Sequence, residues 1–239
     1  LEMRYSVLYS LLLTYGTGIF VSVVTSNPGC SGKDVRSCGV DFIPFYNATR
    51  LAEDAAGFDA QCKFYIKQLS CAENFTGRCL EGVARAVTLL GLQAALADYE
   101  ESCNATSAKY KVYIENIPCI NKAGPILHQC INSAFEIFQT ATEKAPKKRR
   151  IGYACCYYYE LQDCFRDALR EKCNRPQALN YFTEIMDRVF GDMLQLGCAQ
   201  YRRGSSGCKT IPPLPRSRDP SLGTVSIVET ITAVVDSLG

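Results

Sequence analysis

The chain has 239 residues, 47% of them apolar and 21% charged, and 26 lysines and arginines against 24 aspartates and glutamates leave a net charge of +2. That balance fits one or two globular domains, and it excludes both a disordered tail protein and a basic nucleic-acid clamp, so no nucleic-acid partner is expected. A single histidine, His128, removes most acid–base chemistry.

Residues 1–26 come first. Met3 and Arg4 precede an apolar stretch from Val7 to Val24, and the small or polar Thr25 and Ser26 follow. This predicts a secretory signal peptide cleaved near Ser26. The alternative is a retained signal anchor, because Tyr5 to Val24 nearly reaches the roughly 20 residues that span a bilayer. Ser, Thr, Tyr and Gly interrupt the stretch and favour cleavage, leaving no stable membrane span.

Fourteen cysteines follow, all between Cys30 and Cys208. An even number of this density predicts up to seven disulfides in an oxidising, extracellular compartment. Their spacing carries an internal repeat. Cys30, Cys38, Cys62, Cys71, Cys79 and Cys103 are separated by 8, 24, 9, 8 and 24 residues; Cys119, Cys130, Cys155, Cys164, Cys173 and Cys198 by 11, 25, 9, 9 and 25. At a constant offset of 93, Phe42 corresponds to Phe135, Phe45 to Phe138 and Thr49 to Thr142. Two tandem six-cysteine units are expected, at 27–104 and 105–208, and duplication predicts one pairing order for both. Six cysteines allow 15 pairings, and spacing does not choose among them. Cys156 and Cys208 lack counterparts and are each other's expected partners, since a bridge between adjacent Cys155 and Cys156 would be strained.

Each unit reads as helical. Val83, Val87, Leu90, Ala94 and Ala97 follow steps of three and four, as do Leu179, Phe182, Met186, Val189, Met193 and Leu196, and both series are taken as inward faces. Helices are expected near 40–55, 58–71, 78–102, 106–116, 125–144, 151–172 and 176–195. Ile117-Pro118 and Gly124-Pro125 punctuate the join between units. The fold class is all-α.

Sequons at Asn47, Asn74 and Asn104 are candidate glycosylation sites, each expected on the surface of a secreted chain. Lys147, Lys148, Arg149 and Arg150 form the strongest charge run, in an expected loop. Such a run is a solvated loop, an anion-binding patch for sulfated glycans, or a dibasic processing site. Tyr153, Tyr157, Tyr158 and Tyr159 are expected to divide between core and surface, with an apolar cavity carrying hydroxyl handles as the sharper alternative.

After Cys208, residues 209–225 read as a Pro-rich linker containing Pro212, Pro213 and Pro215. Residues 226–239 then read as an amphipathic helix, opened by a Ser226/Glu229 capping box and carrying Ile227, Ile231, Val234 and Leu238 on one side. It is expected to pack on the bundle. Glu229 and Asp236 argue against a lipid-anchor signal.

Chemistry is sparse. Cys155-Cys156-Tyr157-Tyr158-Tyr159 is similar to the paired-cysteine helix of secreted phospholipases A2, but Tyr159 stands near the place of the essential histidine and no glycine-rich calcium loop precedes it. No catalytic set, metal site or cofactor site is expected, since the thiols are widely spaced and no nucleophile motif accompanies His128. The combination of leader, sequons and cysteine-rich helical units resembles the secreted all-helical cysteine-rich proteins of arthropods, among them the small haemolymph glycoproteins of insects. The resemblance spans Cys30 to Cys208 in composition and helical character. It implies an extracellular fluid protein and transfers no site residue. The expectation is a secreted, glycosylated, non-enzymatic protein that binds an extracellular protein, a glycan or a small apolar ligand. It would act through its surface or an interhelical pocket; a carrier with an enclosed cavity and a lipid-active hydrolase are the alternatives.

Overall fold

The computed structural model of the chain describes residues 28–214 and 226–236, apart from the side chains of 192–196. The leader expected at 1–26, the linker from Pro215 to Val225 and Leu238 lie outside the described residues, as do the side chains of Met193 and Leu196. Among the described residues eight helices follow in order: α1 (Gly32–Arg36), α2 (Ala55–Cys79), α3 (Gly82–Ser102), α4 (Ala108–Lys144), α5 (Lys147–Lys172), α6 (Pro176–Gly197), α7 (Ser206–Thr210) and α8 (Ile227–Val235). No strand occurs among the described residues, and the fold is all-α.

Local chemistry sets several boundaries. Asp54 and Ser107 cap α2 and α4 by accepting from the main-chain N–H of Gly57 and Tyr110 at 2.9 Å. The capping box of α8 is complete, with Glu229 accepting from the Ser226 N–H at 3.0 Å.

All fourteen cysteines are bonded. The first set pairs Cys30 with Cys79, Cys38 with Cys71 and Cys62 with Cys103. The second pairs Cys119 with Cys173, Cys130 with Cys164 and Cys155 with Cys198. In both sets the first cysteine joins the fifth, the second the fourth and the third the sixth. Nested pairs require antiparallel neighbours: moving 11 residues along α4 from Cys119 to Cys130 corresponds to moving 9 residues back along α5 from Cys173 to Cys164. The seventh bridge joins Cys156 to Cys208.

The halves differ in their first third. The helix expected at 40–55 does not form; turns and bends occupy 40–54 until α2 begins. Pro44 has no N–H to donate and disfavours helix at Ile43, and Phe45 takes the left-handed conformation with φ 64°. The offset that aligns Phe42 and Phe45 with Phe135 and Phe138 therefore joins an irregular segment to a helix.

Side chains of α4 replace the hydrogen bonds that this segment lacks. Asn121 is 2% exposed. Its side chain accepts from the Leu51 N–H at 2.9 Å and donates to the Leu51 carbonyl at 2.8 Å. His128 holds the Phe45 carbonyl, and Asn132 donates to that of Tyr46 at 3.3 Å. Between them Gly124 passes so close to Thr49 that a Cβ would overlap its carbonyl oxygen.

The breaks expected at Pro118 and Pro125 do not form either: α4 is one 37-residue helix through both. An interior proline costs about 3 kcal/mol. The stripe Ile117, Ile120, Ala123 and Leu127 is at most 1% exposed, and each large apolar side chain buried there contributes roughly 1.5–3 kcal/mol. Cys119 and Cys130 also fasten this stretch to α5 and its C-terminal cap.

A third correction concerns α3. Val83 is 64% and Leu90 39% exposed, so much of the expected face points outward, while Val87 is half-buried. The buried side carries Ala84, Thr88, Gly91, Ala95, Asp98 and Ser102. It holds three polar residues, which is why apolar periodicity misplaced it. Asp98 pairs there with Lys109 at the start of α4, the two side chains 5% and 9% exposed. Arg188 of α6 lies 3.6 Å from the same carboxylate. One core runs across both halves, placing Phe45, Phe58 and Tyr113 with Leu127, Phe165 and Phe182.

Candidate functional site

The candidate site is the interior beneath α8. Val228, on one side of this helix, is 1% exposed in the core of the first half. Ile227 and Ile231, one turn apart, face two neighbouring cavities of about 100 and 210 Å³. Both cavities also touch Ile43, Pro44, Phe182, Ile185 and Phe190, so they share a wall. α8 holds no cysteine and follows the disulfide framework in the chain after Cys208.

The larger cavity lies among α3, α4, α5, α6 and α8, against Val87, Ile131, Phe135, Leu161, Met186 and Val234. Its polar side chains are turned to other work. The Tyr158 hydroxyl donates to the Met186 carbonyl at 3.2 Å and accepts from Gln162 at 3.0 Å. Thr230 Oγ1 donates to the Ser226 carbonyl at 3.3 Å. What remains is hydrocarbon, a wall that water cannot satisfy.

The smaller cavity has a tyrosine-rich wall formed by Tyr65, Tyr99, Tyr113 and Tyr181. Tyr99 and Tyr113 donate to the carbonyls of Phe42 and Ala52 at 2.6 and 2.8 Å. The Tyr65 hydroxyl accepts from Gln61 at 2.7 Å. Burial raises the ionisation of all four, well above the ordinary range for Tyr99, and the Asp98 charge adds to this at Tyr99 and Tyr181. The same wall holds Ser102, 2% exposed, whose Oγ faces the Tyr181 hydroxyl without completing a hydrogen bond of good geometry.

A third, more polar cleft of about 290 Å³ opens between α5 and α6. Phe165, Phe182 and Met186 belong to both this cleft and the larger cavity, standing between them. Its cations Arg166 and Arg203 both pair with Asp163.

Lys147, Lys148, Arg149 and Arg150 form the first turn of α5 rather than a loop. Four cations at the positive end of a helix oppose its dipole, and none is in an ion pair among the described residues. Tyr153 and Tyr158 are buried, Tyr157 and Tyr159 half-buried, so the tyrosine cluster makes no exposed patch. Only Tyr158 of the four lines a cavity under α8. Asn47, Asn74 and Asn104 are all exposed. Asn104 accepts from both the N–H and the hydroxyl of Thr106, at 3.0 and 2.8 Å. His128 is engaged by the main-chain oxygen of Phe45, and no cluster of three or more potential metal ligands occurs among the described residues.

Ser102, Asp98 and the smaller cavity escaped sequence reasoning. The retrievable signal was the row Thr88, Asp98, Ser102 at helical spacing within an otherwise apolar helix. The fold and site define a disulfide-locked all-α protein with an apolar interior. No protein-family model, curated protein or solved structure matches the chain.

Proposed function

We propose that this protein is a secreted, glycosylated, non-enzymatic carrier of a small apolar ligand, held in the larger cavity beneath α8. The observation that carries this reading is a cavity of about 210 Å³ whose polar side chains are all hydrogen-bonded elsewhere. An apolar cavity of roughly 150 Å³ in another protein stays dry and takes up benzene, so a space of this size suits an aliphatic chain or a small ring. Seven disulfides, exposed sequons and the leader-like sequence support secretion. The common pairing order supports reading the two halves as copies of one ancestral unit.

The test is titration of N-phenyl-1-naphthylamine fluorescence with protein secreted from eukaryotic cells, alongside native mass spectrometry for a co-purified molecule. Ala154 lines the larger cavity. Ala154→Phe fills it and is expected to weaken probe binding about tenfold or more. Unchanged affinity in the folded variant would sink the reading.

The surface reading is favoured by one observation, the unpaired cations at the start of α5. Salt-sensitive retention on immobilised heparin that disappears when Lys147, Lys148, Arg149 and Arg150 become glutamine would establish sulfated-glycan binding there.

A further inference from the structure

The smaller cavity adds a chemical requirement that the larger one lacks. Its wall holds Ser102, buried to 2% exposure with a hydroxyl that completes no hydrogen bond of good geometry. Such a group costs roughly 1–3 kcal/mol unless something satisfies it. The Tyr181 hydroxyl faces it, so the two form a pair of neutral hydroxyls opening on one cavity. Asp98 lines the same cavity. Lys109 pairs with it and Arg188 lies beside it, so this carboxylate gives an anionic head group nothing to gain.

The two cavities meet at α8. Ile227 and Ile231 belong to both walls, on a nine-residue helix with no disulfide of its own. These side chains can yield at lower cost than those of the cross-linked bundle.

Resting on the carrier reading above, we infer that the ligand is a linear aliphatic molecule with one neutral hydrogen-bonding end, such as a long-chain alcohol. Its head meets Ser102 and Tyr181 in the smaller cavity, and its tail passes beneath Ile227 and Ile231 into the larger one. No covalent step is involved. The polar end satisfies Ser102, and each methylene added to the tail gains about fourfold in affinity while cavity remains to receive it.

The experiment displaces N-phenyl-1-naphthylamine from the full chain with n-decane, 1-decanol and decanoate, and then with 1-alkanols of increasing length. 1-Decanol is expected to bind about fivefold more tightly than decane, the worth of one hydrogen bond, and more tightly than decanoate. Ser102→Ala and, independently, Tyr181→Phe should each reduce that advantage, read as the ratio of decanol to decane affinity within the same variant. Ile227→Ala with Ile231→Ala opens the partition and should extend the range of chain lengths over which affinity rises. Equal affinity for decane and decanol, or an alcohol preference that survives both head-group substitutions, overturns the inference while the carrier reading stands. Preference for decanoate overturns it too and moves the head to the Arg166 and Arg203 cleft. A probe that binds nowhere overturns both.

Discussion

The imidazole of His128 donates through Nδ1 to the main-chain oxygen of Phe45 at 2.8 Å, across 83 residues of sequence, and so holds a residue with φ 64° against α4. A carbonyl only accepts, which fixes the proton on Nδ1. The only histidine in the chain thus serves the segment that replaces a helix, with Asn121 and Asn132 doing the same one to two turns away.

Breaking this row should loosen residues 40–54 first. Asn121→Ala leaves the buried N–H and carbonyl of Leu51 without their side-chain partner, and is expected to cost about 3 kcal/mol. Gly124→Ala should destabilise by about 2 kcal/mol, although alanine in a helix is ordinarily about 1 kcal/mol better than glycine, because its methyl meets a main-chain oxygen. Urea unfolding under oxidising conditions measures both. Hydrogen exchange should locate the loss at 40–54, and a stabilised Gly124→Ala would refute the packing described.

The Asp98 and Lys109 pair makes a different prediction. Both side chains are at least nine-tenths buried, and removing one partner leaves a buried charge. Lys109→Met should therefore cost about 3–5 kcal/mol, while the double replacement Lys109→Met with Asp98→Leu should recover most of that loss. Equilibrium unfolding of the three proteins checks it. A Lys109→Met protein as stable as the parent would mean that Arg188 alone compensates Asp98.

What the sequence disclosed and what it hid follow one physical division. Helices whose burial is apolar, such as α5 and α6, are legible because hydrophobic period and burial coincide. The face of α3 is not, because Thr88, Asp98 and Ser102 point inward while Val83 and Leu90 point out. Periodicity reports hydrophobicity, and here hydrophobicity is not burial. Residues 40–55 failed for a non-local reason, since side chains of α2, α3 and α4 hold their main chain, and those of Asn121 and His128 are 70 or more residues away. The prolines of α4 misled because local propensity was overridden by packing and by two disulfides. Cysteine spacing restricted the architecture, but the pairing order and the cavities emerge only when all the helices are placed together.

Adjacent Cys155 and Cys156 separate two kinds of disulfide. Successive residues on a helix point about 100° apart, and here one bonds to the end of α6 and the other to α7. The bridges span 43 and 52 residues, so loop entropy alone assigns each about 4 kcal/mol. Burial does not: Cys155 and Cys198 are 0% and 3% exposed, whereas Cys208 is half-buried. Cys155→Ala with Cys198→Ala should therefore destabilise by about 2 kcal/mol more than Cys156→Ala with Cys208→Ala, because core packing is lost as well. Equal losses in urea unfolding would show that the chain-entropy contribution is the whole effect.

Alkaline titration reads the cavity walls directly. Burial raises the ionisation of Tyr65, Tyr113, Tyr158 and Tyr181 above its ordinary value of 10.0, and that of Tyr99 well above it. The unfolded chain releases these protons near pH 10, whereas the folded chain keeps them. The folded state then binds more protons, so stability is fully present below about pH 10 and falls as pH rises beyond it. Tyrosinate absorbance should therefore rise in two stages, that of these five rings coming only as the fold opens. Tyr113→Phe and Tyr181→Phe should each flatten the alkaline fall in stability by removing one such proton. Because four of the five line the smaller cavity and Tyr158 the larger, a bound long-chain alcohol should postpone the second stage to higher pH. A single stage near pH 10, indifferent to the alcohol, would contradict the burial of these rings and with it their place in the cavity walls.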